Sequence, residues 1–262
     1  MSRQNYYKQT QRKAKQEFEE ELMLHLVKTE RKIQPCIGGR KLHYMVKTEC
    51  MENGIKIGRD KFFAFLSRND LLISREARIP RTTDSRHRLG VYENILKDSK
   101  ITKQNEAWVS DITYIRTMEG FMYAALITDY DSRKIIGTHI GDSLESIGCI
   151  NALKMALNTL KKGEVPIHHS DRGCQYCSYA YIDMLTAHNI RISMTEKNHC
   201  YENAMAERVN GILKQEFELG QTFKTKEQAK KAFEQAVYIY NNRRPHIKLG
   251  YRTPHEVYNK AA

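Results

Sequence analysis

The chain has 262 residues, a formal net charge of +12 at pH 7 and a pI near 9.3. Hydrophobic residues make up 40% of it, and with 14 glycines the composition is that of an ordinary globular protein, which excludes a wholly disordered chain. The longest uninterrupted apolar run, residues 121–127, is far shorter than a membrane span, and no apolar region typical of a secretory signal is present. We therefore expect a cytoplasmic protein without membrane contact, folded as one large or two smaller domains.

The positive charge is concentrated in the first third of the chain. Residues 1–100 contain 22 Lys and Arg against 13 Asp and Glu, whereas the remaining residues contain 21 and 18. A basic surface attracts polyanions, and contacts with phosphates release counterions. Nucleic acid is therefore the leading class of partner, and the alternative is a basic surface without such a partner.

The six cysteines indicate reduced thiols, since no secretory signal accompanies them; they lie at positions 36, 50, 149, 174, 177 and 200. Cys174 and Cys177 form a single C-x2-C pair. A zinc site would need two further ligands, and His199 and Cys200 are adjacent rather than spaced. Two incidental cysteines are favoured over a metal knuckle.

The N-terminal region has the pattern of three helices, over residues 9–33, 40–52 and 58–69. The glycine pair Gly38-Gly39 and an Asn-Gly turn separate them, and the third helix is short, basic and aromatic. A helix, a short turn and a second, basic helix are typical of helix-turn-helix proteins. We expect residues 1–74 to form an all-α, helix-turn-helix-like DNA-binding region; the alternative is a plain three-helix bundle.

Residues 75–106 have the composition of a basic linker. The segment contains five arginines and shows little periodicity. Such segments either follow a phosphate backbone or remain without order.

The pattern changes at residue 107 to alternating strands and helices. Strand-like runs occupy residues 108–115, 121–128, 134–140, 165–169 and 190–194, and helical patterns occupy residues 144–161, 179–188, 203–217 and 226–241. The order βββαβαβα is that of the ribonuclease-H-like fold. We expect residues 107–262 to form an α/β catalytic core with a mixed five-stranded sheet flanked by helices, followed by a basic helical tail.

Three acidic residues are placed where such a fold could bring them together. Asp111 lies inside the first strand, where a buried charge is costly unless it is compensated. Asp171 directly follows the fourth strand, at a strand end of the kind that carries sites in sheet proteins, and Glu207 lies on a helix. If the first and fourth strands are neighbours, the two aspartates converge and the helix adds Glu207. With 31 acidic residues in the chain, position alone is weak evidence.

Converging carboxylates repel each other and therefore call for a divalent cation. Mg²⁺ prefers hard oxygen ligands and keeps waters and substrate phosphates in its shell. Two such ions about 4 Å apart can activate a nucleophile and stabilise a leaving oxygen in phosphoryl transfer. The three acids predict a site for two Mg²⁺ ions, with Mn²⁺ as a substitute, that acts on a phosphodiester.

The segments around the three acids resemble a known catalytic core. They read, in chain order, WVSDITYI, HSDRGCQY and YENAMAERVNGILKQE. They are similar to DDE transposases and retroviral-type integrases, and above all to the second-frame product of insertion-sequence-three transposases. Thirty-five residues lie between Asp171 and Glu207, the spacing of the DD(35)E motif of that family, and the tail YNNRRPHIKLGYRTPHEVY is also similar. The resemblance covers residues 105–258, and more loosely residues 35–80.

The resemblance implies that Asp111, Asp171 and Glu207 are the catalytic metal ligands of a DNA transposase. Activated water would cut the end of an insertion element, and the freed 3′-hydroxyl would attack a second phosphodiester. The partners would be the element ends and target DNA, bound by a homo-oligomer at the nucleoid of a bacterium, with an upstream-frame product fused to the chain by frameshifting. The alternatives are a nuclease or resolvase of the same fold, and a catalytically silent DNA-binding protein.

Four basic residues are candidates for DNA contacts. Lys214 lies two helical turns after Glu207 on the same helix face, at a position where the family has a DNA-contacting Lys or Arg. Arg172 adjoins Asp171, and Arg243 and Arg244 belong to a basic cluster in the tail. Solvated surface positions are the alternative for each of them.

Three other acids compete for the site. Glu202 precedes an apolar helix and is interpreted as an acid that stabilises the helix N-terminus. Asp129 and Asp131 follow the second strand in the segment DYDSR, and we expect both to be solvated turn residues.

Two histidines and a tryptophan flank the acids. Trp108 is expected to be a core aromatic rather than a platform for a base. His168 and His169 precede Asp171, and we expect one to face the core and the other the site. Cys174 and Cys177 depart from the family, which usually has small hydroxyl residues at these positions, so the contacts of this loop are the uncertain part of the resemblance.

Overall fold

A computed structural model of the chain describes residues 2–74, 89–196 and 200–260. The chain divides into two compact units, with residues 2–74 in the first and the described residues from 89 onward in the second. Residues 75–88, the first half of the predicted linker, lie outside the described residues, as does His199. None of the helices in the described ranges is long and apolar enough to cross a membrane.

The N-terminal unit consists of three helices, α1 (Arg3–Ile33), α2 (Gly39–Glu52) and α3 (Arg59–Arg68). Their packed core is formed by side chains that recur at helical spacing, among them Val27, Leu42 and Phe62, all buried. Gly39, the first residue of α2, allows close packing against α3, because a Cβ at this position would lie 2.9 Å from the ring of Phe63. The three predicted helices are present, and α1 begins six residues earlier than the pattern indicates.

The second unit is built on one mixed sheet with the strand order β3-β2-β1-β4-β5. The strands are β1 (Ala107–Thr117), β2 (Gly120–Asp129), β3 (Ile135–Gly141), β4 (Ile167–Ser170) and β5 (Arg191–Met194). The first three are antiparallel, and β1, β4 and β5 are parallel. A sixth strand, β6 (Thr222–Phe223), pairs with β1. Two residues are too few to show periodicity, so the sequence predicted five strands and missed this one.

Helices cover both faces of the sheet. They are α4 (Ser146–Leu157), α5 (Tyr179–Ala187), α6 (Ala204–Glu216), α7 (Lys226–Asn242) and α8 (Pro254–Lys260). One face packs Trp108, Ile127, Leu153 and Tyr181 into the main core. Helix α4 approaches β3 so closely that a Cβ on Gly137 would lie 2.2 Å from the carbonyl oxygen of Ala152. The opposite face of β1 packs against α6.

Residues 89–106, the second half of the predicted linker, pack on this sheet. Leu96 is buried in a cluster with Val109 and Ile167, and its backbone N–H donates to Ser193 Oγ at 3.3 Å. The apolar side chain of Leu96 and this backbone hydrogen bond attach the segment to the second unit. A basic composition concealed these anchors in the sequence.

Asp129 corrects the expectation of a solvated turn. It is fully buried at the end of β2, where its carboxylate accepts hydrogen bonds from the backbone N–H of Asn105 at 2.8 Å and of Ser132 at 2.9 Å. Burial raises the pKa of Asp129, and these hydrogen bonds oppose the rise. The carboxylate therefore has a structural role, closing the turn after β2 against the loop that precedes β1.

Candidate active site

Asp111 lies on the face of β1 that packs against α6. Side chains alternate along a strand, so Asp111 shares this face with Val109, which packs against Ala206 of α6. Its Oδ2 accepts a hydrogen bond from Asn210 Nδ2 at 2.7 Å, and its Oδ1 accepts one from the backbone N–H of Ile112 at 2.9 Å. The carboxylate is half-buried and held in one orientation.

The parallel register of β1 and β4 places Asp171 beside Asp111. Val109 is paired with His169, and each aspartate lies two residues beyond this pair in its own segment. Since neighbouring strands are about 5 Å apart, both carboxylates leave the sheet at the same level. The condition stated for the convergence of the two aspartates, that the first and fourth strands are neighbours, is thus met. Asp171 Oδ1 accepts a hydrogen bond from Gly173 N at 3.0 Å, which closes the loop after β4.

Helix α6 adds Glu207 from the side. Asn203, at the start of α6, donates to the carbonyl oxygen of Ser110 at 3.0 Å, and Asn210 contacts Asp111. Asn203, Glu207 and Asn210 are spaced by four and three residues, so they lie on one helix face. Glu207 therefore faces β1 between two anchored asparagines, and its side chain is exposed.

The three carboxylates interact electrostatically. Burial, together with the charges of Asp171 and Glu207, raises the pKa of Asp111 from 3.8 to about 7, against the hydrogen bonds from Asn210 and Ile112. The surroundings of Asp111 therefore disfavour its charged form. An oxygen-only donor set with excess negative charge fits a hard divalent cation.

The acids are not closed around one point. Within the described ranges, no group of three His, Cys, Asp or Glu side chains is close enough together to hold a metal ion. Two of the carboxylates are fixed by hydrogen bonds, whereas Glu207 is exposed. Rotation of the Glu207 side chain is thus the adjustment that would complete a ligand set.

Asn210 is the site residue that the sequence interpretation missed. Its side chain is buried, and among the residues that the structure describes its Oδ1 has no hydrogen-bond partner, although its Nδ2 binds Asp111. A neutral amide gives no charge signal, but its position three residues after Glu207 placed it on the same helix face. Groups that bind a metal ligand in this way commonly set its orientation.

Comparison with known proteins identifies the chain. Residues 101–200 and 188–254 match the family described as integrase core domain. A 31 kDa protein of insertion element IS600 from Shigella sonnei is 33% identical over 97% of this chain and 93% of its own length. Transposase InsF of insertion sequence IS3A from Escherichia coli is 38% identical over 66% of this chain and 61% of its own length. The chain belongs to the integrase-core transposases of insertion sequences.

The predicted family, enzyme class and fold of the transposase are thereby confirmed. Its fold is similar to a chain in the structure of a simian T-cell lymphotropic virus intasome bound to the B56 gamma subunit of PP2A. The TM-score is 0.51 and the identity 17%, over 84% of this chain and 74% of the viral one. At this identity the likeness concerns the fold alone.

Lys214 and Arg172 both lie near the acids of the transposase. Lys214 is half-buried on α6, and its Nζ is 4.1 Å from the ring centroid of Tyr114, three residues after Asp111 on β1. Arg172 Nε donates to the carbonyl oxygen of Thr195 at 2.6 Å, so this arginine supports the loop after β4. Lys214 therefore lies beside β1, two helical turns beyond Glu207 on α6.

Arg244 is not a surface residue, which corrects the DNA contact predicted for it. It is 4% exposed, and its guanidinium binds both carboxylate oxygens of Glu216, at 2.8 and 2.9 Å. The pair joins the end of α6 to the end of α7. Arg243 is exposed, so the basic tail offers this residue but not its neighbour to a nucleic acid.

The two histidines lie on opposite faces of β4: His168 contacts Tyr181 in the main core, and His169, paired with Val109, lies on the face that carries Asp111. His168 Nε2 is hydrogen-bonded to Ser110 Oγ at 2.7 Å and Tyr181 Oη at 2.8 Å, and His169 Nδ1 to Ser193 Oγ at 2.9 Å. Burial lowers the pKa of His168 to about 3 and that of His169 to about 4. Both are neutral core residues.

Two further expectations concern the edges of the site. Trp108 is fully buried, as expected, and its indole N–H donates to Asn105 at 3.1 Å. Glu202 lies in the single turn that precedes α6, but it accepts hydrogen bonds from Asn94 at 2.8 Å and from the backbone N–H of Glu196 at 2.7 Å. It therefore anchors loops and is not part of the acid group.

The cysteines of the loop after β4 have different surroundings. Cys174 is exposed, and Cys177 is buried with its thiol 3.7 Å from the sulfur of Met194. Burial raises the pKa of Cys177 to about 11, so it remains a neutral thiol. Cys177 therefore acts as a small core residue in this loop.

Proposed function

We propose that this transposase uses Asp111, Asp171 and Glu207 to bind two Mg²⁺ ions, cut the ends of an insertion element and join them to target DNA. The observation that carries the proposal is the common level of the two aspartates on neighbouring strands, with Glu207 facing them from α6. Bound Mg²⁺, or Mn²⁺ in its place, would activate water and stabilise the leaving 3′-oxygen.

The chain supplies orientation in this reaction. Strands β1 and β4 fix the spacing of Asp111 and Asp171, and Asn210 keeps the first carboxylate turned towards the second. Glu207 would supply the third carboxylate ligand from α6. Lys214, two helical turns beyond Glu207, holds a phosphate of the DNA strand beside the acids.

Further elements of the proposal concern assembly. The transposase works in the bacterial cytoplasm at the nucleoid. It acts as a homo-oligomer on DNA that brings element ends and target together; the viral chain of similar fold is likewise part of an intasome. Residues 1–74 steady the DNA, and an upstream-frame product, fused or separate, completes end recognition.

The decisive experiment replaces Asp171 with asparagine. The substrate is duplex DNA that carries an element end, with a label on the strand whose 3′-hydroxyl is freed and joined. It is incubated with Mg²⁺, and cut and joined products are separated on a denaturing gel. D171N should lose both products and keep DNA binding, whereas D183N, which changes an exposed aspartate of α5, should keep all three. Joining by D171N would disprove the site.

The same gel separates the alternatives. Cut but unjoined DNA from the wild-type chain indicates a nuclease or resolvase, and binding without any cutting indicates a silent DNA-binding protein. Lys214 is tested by comparing K214A with K162A, an exposed lysine between α4 and β4. We expect a loss of cutting in K214A alone.

A further inference from the structure

The first half of α1 is a helix without tertiary support. Residues 3–18 are all exposed, and the buried side chains of α1 begin at Met23. Residues 3–16, which we call the α1 arm, extend for about 21 Å at 1.5 Å per residue. The arm lacks the apolar contacts that normally stabilise a helix, and an isolated helix of this length is only marginally stable in water.

The arm carries only positive charge. Residues 2–16 contain five Lys and Arg and no Asp or Glu, and four glutamates follow at residues 17–21. Lys8, Arg12 and Lys15 are spaced by four and three residues and therefore form one stripe along the helix. Gln4 and Gln11 lie beside this stripe.

The stripe is available to a polyanion. Among the residues that the structure describes, no carboxylate pairs with Lys8 or Arg12. Lys15 is 3.8 Å from Glu19 and largely exposed, a pair of the kind that contributes little to stability.

The third helix offers less charge than its composition suggested. In α3, Arg59 is paired with Asp60 at 2.8 Å, and Arg68 is paired with Glu20 of α1 at 3.1 Å. The strongest accumulation of uncompensated positive charge in this unit is therefore on the α1 arm and not on the expected recognition helix.

We infer that the α1 arm is a DNA-binding element that lies in a groove of the duplex, with Lys8, Arg12 and Lys15 on the phosphates. The major groove of B-DNA is about 12 Å wide and admits an α-helix, and continuous basic helices bind DNA in this way. Phosphate contacts would replace the missing tertiary support. The inference deepens the proposed function, since it names the element that holds the DNA substrate.

The test removes two charges from either side of the arm. K8A/R12A changes the stripe, and R3A/K13A changes the opposite side of the same helix by the same charge. Alanine is the best helix former, so neither variant is expected to unfold the arm, and far-ultraviolet circular dichroism checks this. Binding of the full-length chain to end-containing duplex is measured by fluorescence anisotropy over a range of NaCl concentrations.

The slope of log K against log[salt] is negative, and each lost phosphate contact reduces its magnitude by about 0.9. We expect this magnitude to fall by about 2 for K8A/R12A and to stay unchanged for R3A/K13A. An equal slope in wild type and K8A/R12A would overturn the inference. The inference would also be overturned if the arm proved to be a contact between copies of the chain. In that case Y7A/F18A, which removes two exposed aromatic rings, would convert an oligomer of the DNA-free chain to monomer, and K8A/R12A would leave DNA binding unchanged.

The outcome is separable from that of the proposed function. D171N should keep the wild-type salt slope and lose cutting, whereas K8A/R12A should show the reduced salt slope whether or not it cuts DNA. If the wild-type chain cuts no DNA, the proposed function fails, and the slopes of the two arm variants still decide the inference.

Discussion

Replacing Asp111 with asparagine removes a charge that the folded protein holds at a cost. Its pKa is raised from 3.8 to about 7 by burial and by the charges of Asp171 and Glu207. A tenfold change in proton affinity corresponds to about 1.4 kcal/mol, which gives an upper value of about 4 kcal/mol at pH 8. The side chain is only half-buried, so solvent screens part of this. We expect D111N to be about 2–4 kcal/mol more stable than wild type in EDTA.

The substitution should fit the site. An asparagine at position 111 can still accept the hydrogen bond from the backbone of Ile112, and its amide group then faces Asn210. In the part of the chain that the structure describes, the Oδ1 of Asn210 has no hydrogen-bond partner, so rotation of that amide supplies an acceptor. The variant thus exchanges a charge for a neutral group with few changes in packing.

The sign of the pH dependence follows from the raised pKa. Between pH 4 and pH 7 the folded state binds a proton that the unfolded chain has lost, so the stability of the wild type falls as the pH rises. Below pH 4 the carboxyl group is neutral in both states. The advantage of D111N should therefore be largest at pH 8 and should disappear near pH 4.

The measurement is urea unfolding followed by tryptophan fluorescence. Trp108 is the single tryptophan of the chain, is fully buried and lies three residues before Asp111, so the signal reports on this unit. Mg²⁺ should then stabilise the wild type and not D111N, because binding to the folded state adds to its stability. Equal stability of both proteins at pH 8, or a difference that persists at pH 4, would refute the reasoning.

Three further changes test the surroundings of the site by the same unfolding assay. Gly137→Ala forces a Cβ against the backbone of α4 and should cost about 2–3 kcal/mol, whereas Gly90→Ala, with no heavy atom within 4 Å, should be neutral; equal effects would contradict the close packing. Burial holds the pKa of His168 near 3, so the stability of the wild type relative to H168Q should fall by about 2 kcal/mol between pH 7 and pH 5, and a difference that does not change with pH would contradict this burial. R244M removes both hydrogen bonds that Arg244 donates to Glu216 and should cost about 3–5 kcal/mol, much of which R244M/E216L should restore; equal losses would show that the pair is unimportant.

The sequence predicted the elements that depend on local pattern. Alternation and helical spacing located the helices and five strands. The sequence left open whether the first and fourth strands are neighbours, so it predicted the convergence of Asp111 and Asp171 only under that condition. The helix predicted over residues 144–161 is shorter, Ser146–Leu157, since local pattern gives helix ends poorly.

The remaining features depend on partners that are distant in the chain. Asp129 is buried because residue 105 and residue 132 donate to it, and Arg244 is buried because it meets Glu216 across 28 positions. Asn210 binds a carboxylate 99 residues away. Charge and polarity in the sequence predict a solvated surface at such positions, and only the tertiary contacts reverse that expectation.

The register of the β1–β2 hairpin fixes the face of the sheet on which Asp111 lies. Ten consecutive residue pairs run from Thr117 and Gly120 at its turn to Trp108 and Asp129 at its base. A slip of one residue would carry Asp111 to the opposite side of the sheet, away from α6. The turn lies six residues from Asp111, about 20 Å along the strand. An inserted or deleted residue at this remote turn would therefore silence the chemistry without touching any of the acids.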